Sequence, residues 1–410
     1  MPAGLIVLLL ALLLGLQPIT TDLYLPALPA LTSDLGASLS QAQLTLTALL
    51  LAFGVSQLVW GPLSDRFGRR LILLLGLTAY VLASVGAALA PTITWLIIWR
   101  ALQGAAMGAS VMCARAIVRD LYAPVSGARV MSQAFSGLGV IACLCAPVGA
   151  ALTELLNWRL ALLALGVFAA VALALVATRF QETLAVANRQ PLRASALLAS
   201  WKHILRHPTF WAFSTLTMAT YGGLLTFLAA SPFVFTGLLG LSKTQYGLLM
   251  LINSLAYISG TFLCRHWLAR FGVRRTVARA AVVSLTGGLL MAGLSLTSWV
   301  SVWTIMVPQL LFMVGHGVHQ SCGQSGAVGP FPQSAGAASA LNGFLMMLCA
   351  FAMGSWLGSH MDDTVLPMTL GVGFWSILLA LSAWTLVQRH GEPLGGRAKM
   401  ASATPALVQE

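Results

Sequence analysis

The sequence predicts an all-α integral membrane protein whose twelve transmembrane helices form two parallel six-helix halves. Three observations carry that expectation. Of 410 residues, 58% are apolar and 8% are charged, with mean hydropathy +0.88. Soluble domains run nearer half apolar and a quarter charged, so lipid must be the solvent for much of this surface. Twelve windows of about 20 apolar residues follow one another along the chain. Between the second and third windows stands Arg66-Phe67-Gly68 with Arg70, and it returns 204 residues later as Arg270-Phe271-Gly272 with Arg274, between the eighth and ninth.

The windows run 5–26, 42–62, 71–90, 95–118, 130–152 and 158–178. After a polar stretch come 210–235, 245–265, 275–297, 301–325, 335–358 and 366–387. The first has no Lys or Arg before it and no small-residue cleavage pattern, so it reads as an uncleaved span and not as a secretory leader. Residues 179–209 hold five Lys/Arg, two His, Pro191 and Pro208. That composition predicts a cytoplasmic linker, with a short amphipathic helix from Leu192 to Ile204. The chain thus divides into an N-terminal half (1–178), a linker (179–209), a C-terminal half (210–387) and a tail (388–410). Pro26 and Pro232, each near the outer end of the first span of its half, fit the same pairing.

An even number of spans puts both termini on one side. If that side is the cytoplasm, 19 of the 22 Lys and Arg lie at cytoplasmic ends or loops, Arg159 and Lys243 lie outside, and Arg100 stays within a span. The positive-inside rule selects this orientation.

A formal charge of +12 would suggest nucleic acid in a soluble chain. Here the bases sit in short loops beside apolar spans, and no polar basic domain could carry such a role. Cys113, Cys143, Cys145, Cys264, Cys322 and Cys349 lack metal-ligand spacing and read as small core residues. Trp60, Trp95, Trp158, Trp211, Trp299 and Trp384 lie near span ends, where tryptophan anchors a helix at the interface.

The loop Gly61-Pro62-Leu63-Ser64-Asp65-Arg66-Phe67-Gly68-Arg69-Arg70 resembles, position for position, the signature between the second and third spans of the major facilitator superfamily. Asp22-Leu23-Tyr24-Leu25-Pro26-Ala27-Leu28-Pro29 and Arg119-Asp120-Leu121-Tyr122 resemble the Bcr/CflA branch of its drug:proton antiporters. Arg100-Ala101-Leu102-Gln103-Gly104, followed by Gly108, is similar to the fourth-span signature of proton-coupled facilitators. In the fifth span the match is partial: Ala146-Pro147-Val148-Gly149-Ala150 stands where that signature has Gly-Pro and then paired glycines. The resemblance implies the major facilitator fold, a bacterial inner-membrane location, a monomer, and no cofactor beyond a proton gradient. It also implies that Asp65 faces the start of the eleventh span, near Ser334 to Gly336, while Arg69 bridges to Asp120. Such contacts would shut the cytoplasmic side in the outward-open state.

A carboxylate in hydrocarbon is costly and tends to be paired or neutralised, so a reversibly protonated acid is a natural coupling element. Asp22 is the one acid well inside a span. It lies roughly 6 Å of helix rise from Pro26, and Arg100 lies roughly 7.5 Å from Trp95, so the two could meet at similar depth. Asp22 is then either the proton carrier, with Arg100 favouring its ionised form, or half of a permanent structural pair. The gate set is Gly61, Asp65, Arg66, Gly68, Arg69, Arg70 and Asp120; the inside-positive rule alone accounts for Arg66 and Arg70 but leaves the acid and both glycines unexplained. Asp65 becomes Ala269 in the second copy, which puts the main latch on the first.

Gln309, His316, Gln320 and Gln324 recur at i, i+7, i+11 and i+15 with His319 alongside, one polar stripe in an apolar helix. In a bundle this stripe faces a wet cavity, where it touches substrate or holds a second proton site, or it bonds neighbouring helices. As a metal pair, His316 and His319 lack a third ligand, so no metal is expected. Tyr24, Gln103, Tyr221, Asn253 and Asn342 complete the candidate cavity. Gly104, Gly108, Pro147 and Gly149 read as helix-packing positions.

The expected activity is proton-coupled antiport that exports small amphipathic or cationic molecules, antibiotics among them, by alternating access. The alternative is a dedicated exporter of a metabolite such as a nucleoside, amino acid or sulfur compound. An intramembrane enzyme would need a nucleophile or metal constellation that the chain lacks, and a channel needs no gate between two halves. The expected partners are a small-molecule substrate, protons and the lipid bilayer, with no nucleic acid.

Overall fold

A computed structural model describes residues 3–122, 124–186, 189, 194–297, 299–362 and 364–391. Pro191, Leu192 and Arg193 of the linker, and Arg397 and Lys399 of the tail, lie outside the described residues. Within them the chain is helical throughout, as lipid demands: a spanning backbone must satisfy its own hydrogen bonds. The first half comprises α1 (Ala3–Asp22), a 3₁₀ turn Leu25–Ala27, the short α2 (Leu28–Asp34), α3 (Leu39–Phe67), α4 (Arg69–Ala88), α5 (Ile93–Leu121), α6 (Pro124–Leu155) and α7 (Trp158–Arg179). After the linker helix α8 (Ala194–Leu205) come α9 (Pro208–Pro232), α10 (Lys243–Ser295), α11 (Val302–Val328), α12 (Ala335–His360), α13 (Leu366–Trp384) and the short α14 (Leu386–His390).

Eleven of these helical stretches are long and apolar enough to cross a membrane, against twelve expected. The difference is α10. Its 53 residues would extend about 80 Å if straight, more than twice a hydrocarbon core of about 30 Å. Gly272 breaks it with φ 69°. A Cβ on Gly260, twelve residues earlier, would collide with the Val314 carbonyl, and one on Gly315 would collide with Ser284 Oγ, twelve residues later. Both arms therefore meet α11 at one height, and α10 is a hairpin of two crossings, 243–271 and 273–295. Twelve crossings result.

The internal repeat reaches further than the charged motif. Gly36 (φ 56°) and Gly240 (φ 68°) are 240 − 36 = 204 residues apart, and Gly68 (φ 96°) and Gly272 (φ 69°) are 272 − 68 = 204 apart. Ser38 and Ser242 each open a helix with a capping box, to Gln41 and Gln245, again 242 − 38 = 204. Only glycine enters the left-handed region without strain, so these four turns hold one register in both halves.

The first span differs from the window 5–26. α1 stops at Asp22, and Pro26 lies in the buried 3₁₀ turn. In the second half Pro232 closes α9, and the chain continues as a π-helical turn, Phe233–Leu238. Proline withholds a backbone donor, and each lies near where the regular helix gives way, Pro26 four residues past the end of α1 and Pro232 at the last residue of α9. The helices of the two halves meet along two seams. In one, Gly54 of α3 abuts Met347 of α12, and Gly343 abuts Gln57. In the other, Gly247 of α10 lies against Ala150 and Pro147 of α6.

Candidate functional site

Inside the first half, seven residues into α5, Arg100 is fully buried. It donates from Nη1 to Gln103 Oε1 (2.6 Å) and from Nη2 to the Thr20 carbonyl (3.1 Å), and its guanidinium lies 4.1 Å from the centre of the Tyr24 ring. Gln103 Nε2 in turn donates to Ser84 Oγ (2.7 Å), Thr20 shares a 2.5 Å hydrogen bond with Tyr80, and Tyr24 shares one of 2.6 Å with Thr45. The expected meeting of Arg100 with Asp22 is not found. The reason is helical phase: positions 20 and 22 are about 200° apart, so the face that offers Thr20 to α5 turns Asp22 away. Asp22 accepts from Thr21 Oγ1 (2.8 Å).

At the membrane edge, Gly68 separates α3 from α4, and the charged loop folds around Arg69, which is 1% exposed. Arg69 Nη1 is 2.7 Å from Asp65 Oδ1 and from Ser64 Oγ, and its Nε is 2.9 Å from Asp120 Oδ2. Arg119 adds a 3.5 Å pair with Asp65. Arg66 rests over Phe67, and Arg70 donates to the Ala177 carbonyl. Gly61 leaves room for Met112, and its carbonyl accepts from Ser64 Oγ (2.9 Å).

Two departures from expectation matter here. No direct bond from Asp65 to Ser334 or Gly336 is found among the described residues; Arg119 reaches both groups, its Nη2 3.5 Å from Asp65 Oδ1 and its Nη1 3.7 Å from where a Gly336 Cβ would be. Arg115 crosses to the second half instead, bonding Ser339 Oγ at 2.5 Å. The acid at a helix N-terminus is Glu182, which accepts from the backbone N–H of Arg69 (2.9 Å) and Arg70 (3.1 Å), where the helix dipole favours negative charge. A Cβ on Gly68 would collide with that carboxylate. Thr183 beside it donates to Asp120 (3.2 Å). Sequence reasoning left Glu182 in the linker, because 112 residues of separation carry no periodic signal.

On the opposite membrane face the halves are bonded through groups the sequence had not singled out. Glu154 Oε2 accepts from the Thr244 N–H (2.9 Å) and hydroxyl (2.5 Å), Lys243 Nζ donates to the Thr153 carbonyl (3.4 Å), and Gln43 Nε2 donates to the Ala229 carbonyl (2.6 Å).

In the second half, His316 Nδ1 is 2.9 Å from Thr220 Oγ1, with its ring between Tyr257 and Phe312. Asn342 Oδ1 accepts from Thr217 (3.0 Å), and Gln320 Nε2 points at Met346 sulfur (3.6 Å). His319 is fully buried, and neither of its ring nitrogens has a partner among the described residues. Gln309 is fully buried, and Asn253 is 4% exposed. Gly104 packs against the Leu49 carbonyl, Gly108 against Ser56, and Gly149 against the Leu23 carbonyl, each with no room for a Cβ. Among the described residues no three His, Cys, Asp or Glu side chains converge as metal ligands.

Comparison with known proteins agrees with this architecture. The sequence model of the Major Facilitator Superfamily matches residues 10–355. The chain is 31% identical to the uncharacterised MFS-type transporter YdgK of Bacillus subtilis, over 90% of this chain and 92% of that one. It is 30% identical to multidrug resistance protein D of Escherichia coli (95% and 98%) and 28% identical to a bicyclomycin resistance protein homolog of Haemophilus influenzae (94% and 96%). A structure of the xylose transporter XylE from E. coli, in a partially occluded inward-open conformation, superposes with TM-score 0.74 over 96% of this chain and 99% of that one, at 14% identity. The hairpin arms, the repeated turns and the charged loop thus have one common explanation: the chain belongs to the Major Facilitator Superfamily of membrane transporters.

Proposed function

We propose that this transporter is a proton-driven antiporter that exports small amphipathic molecules, antibiotics among them, across a bacterial inner membrane. The observation that carries the proposal is Asp22. Among the described residues it is the one acid well inside a span, and its side chain accepts from the neighbouring Thr21 while Arg100 bonds Gln103 and the Thr20 carbonyl. An acid in that position can exchange a proton when substrate enters between the halves. Full-length relatives named for multidrug and bicyclomycin resistance support the choice of cargo.

Residues 1–178 and 210–387 act as rocking units joined by the 179–209 linker, with both termini cytoplasmic and the protein working as a monomer. The Asp65–Arg69–Asp120 cluster, with Arg119 and Arg115, forms the cytoplasmic gate. Glu154 with Thr244, and Gln43 with Ala229, form its counterpart outside, so alternating access breaks one set while making the other.

Inverted membrane vesicles with an imposed pH gradient test this directly. The wild type should accumulate chloramphenicol or tetraphenylphosphonium against its gradient. Asp22→Asn should lose that accumulation by more than about tenfold, the scale of removing a proton-transfer group, while retaining downhill exchange. Uphill accumulation by Asp22→Asn at the wild-type rate would rule out the assignment.

A further inference from the structure

The buried polar groups of the two halves are satisfied unequally. In the first half Thr20, Tyr80, Ser84, Arg100 and Gln103 bond one another and the backbone, and Arg100 Nε is the unpartnered atom of that set. Among the described residues, Asn253 Oδ1, Gln320 Oε1, both amide atoms of Gln309 and both ring nitrogens of His319 in the second half have no partner, more than the first half leaves, where Gln43 Oε1 and Ser110 Oγ are also unmet. A buried polar group without a partner is destabilising, so a helix bundle that retains several calls for a functional account.

The second-half amides share a direction. On α11, Gly315 abuts Ser284 of the second arm of α10, Gly317 abuts the Tyr257 backbone of the first arm, and Gly323 abuts Thr217 of α9. Gln309 and Gln320, eleven residues and about three turns apart, lie on one face. That face falls between the sides held by α9 and by the first arm, which turns it toward the first half. The first arm runs alongside α11 in the same direction: Gly260 meets Val314 and Cys264 meets Val318, and 314 − 260 = 318 − 264 = 54. The same offset brings Asn253 level with Val307 (253 + 54 = 307), beside Gln309.

We propose that the amides of Asn253, Gln309 and Gln320 form the hydrogen-bonding site for substrate, and that this site selects uncharged solutes bearing carbonyl and hydroxyl or amide N–H groups over lipophilic cations. Gln309 presents a donor and an acceptor together, which fits a neutral polar group. The face bears no carboxylate, and on the export reading, on which this inference rests, Asp22 is committed to the proton and is not free as a counter-ion. The first-half network, bonded at all but Arg100 Nε, then serves as the fixed wall against which the second half holds its cargo.

The test uses full-length protein in energised inverted vesicles, with chloramphenicol as the neutral probe and tetraphenylphosphonium as the cation. Gln309→Leu and Asn253→Leu should each raise the KM for chloramphenicol roughly 3- to 10-fold, the span of one lost neutral hydrogen bond, and leave tetraphenylphosphonium uptake unchanged. The thermal midpoint without substrate should hold or rise, because an unmet amide has been removed. Gln309→Met serves as a second variant if leucine's branching disturbs packing. Wild-type KM for chloramphenicol in all three variants would overturn the inference, as would equal loss of both probes. Wild-type transport of the cation alone would overturn it while leaving export intact, and transport of neither probe would remove both.

Discussion

Arg100 and Arg69 are the two largest side chains buried to this degree, and they are held in different ways. Arg69 neutralises Asp65 and Asp120, whereas Arg100 is held by a carbonyl, an amide and an aromatic face. Arg100→Ala should therefore lower the thermal midpoint whatever the state of Asp22, since hydrogen bonds from a charged donor contribute about 1.5–3 kcal/mol each. Asp22→Asn should leave that midpoint nearly unchanged; a matching fall in both would restore the ion pair that the sequence suggested. Gly68 offers a second test. Gly68→Ala places a side chain at φ 96° and against Glu182, so it should cost about 1–2 kcal/mol from the backbone alone and more from the collision. In a Glu182→Ala background the second part should vanish, which a double-mutant cycle on thermal stability would read as coupling.

For elements, the long apolar runs were legible in the sequence because hydrophobicity over about 20 residues is a strong signal. Their ends were less so: α3 runs past the window 42–62 at both ends, to Leu39 and Phe67, because a cap and a left-handed glycine, not hydropathy, end a helix. Those signals were present as Ser38-x-x-Gln41 and Ser242-x-x-Gln245, in the same 204-residue register as the charged motif. Ser38→Ala and Ser242→Ala should each cost about 1 kcal/mol of stability in thermal unfolding; a negligible loss at both would mean that packing alone sets these helix starts. Residue types in the candidate site were legible, and their pairings were not. Glu182 and Glu154 find their partners through tertiary folding, and Asp22 and Arg100 are separated by a helical phase that depth alone does not reveal.

Across the whole molecule the seams are occupied at both membrane faces: Arg115 bonds Ser339 on the charged-loop side, while Glu154, Lys243 and Gln43 bond across the opposite side. Glu154→Ala removes two hydrogen bonds from the second set and touches no group at depth. Spin labels across that face should then report a larger open population; an unchanged distance distribution would take Glu154 out of the gate.

The claim on which transport rests is that substrate and proton compete through Asp22, and proton release in unbuffered detergent solution tests it most directly. Adding chloramphenicol to the purified wild type should release protons in proportion to the substrate bound, and adding it to Asp22→Asn should release none. Equal release from both proteins would contradict the account.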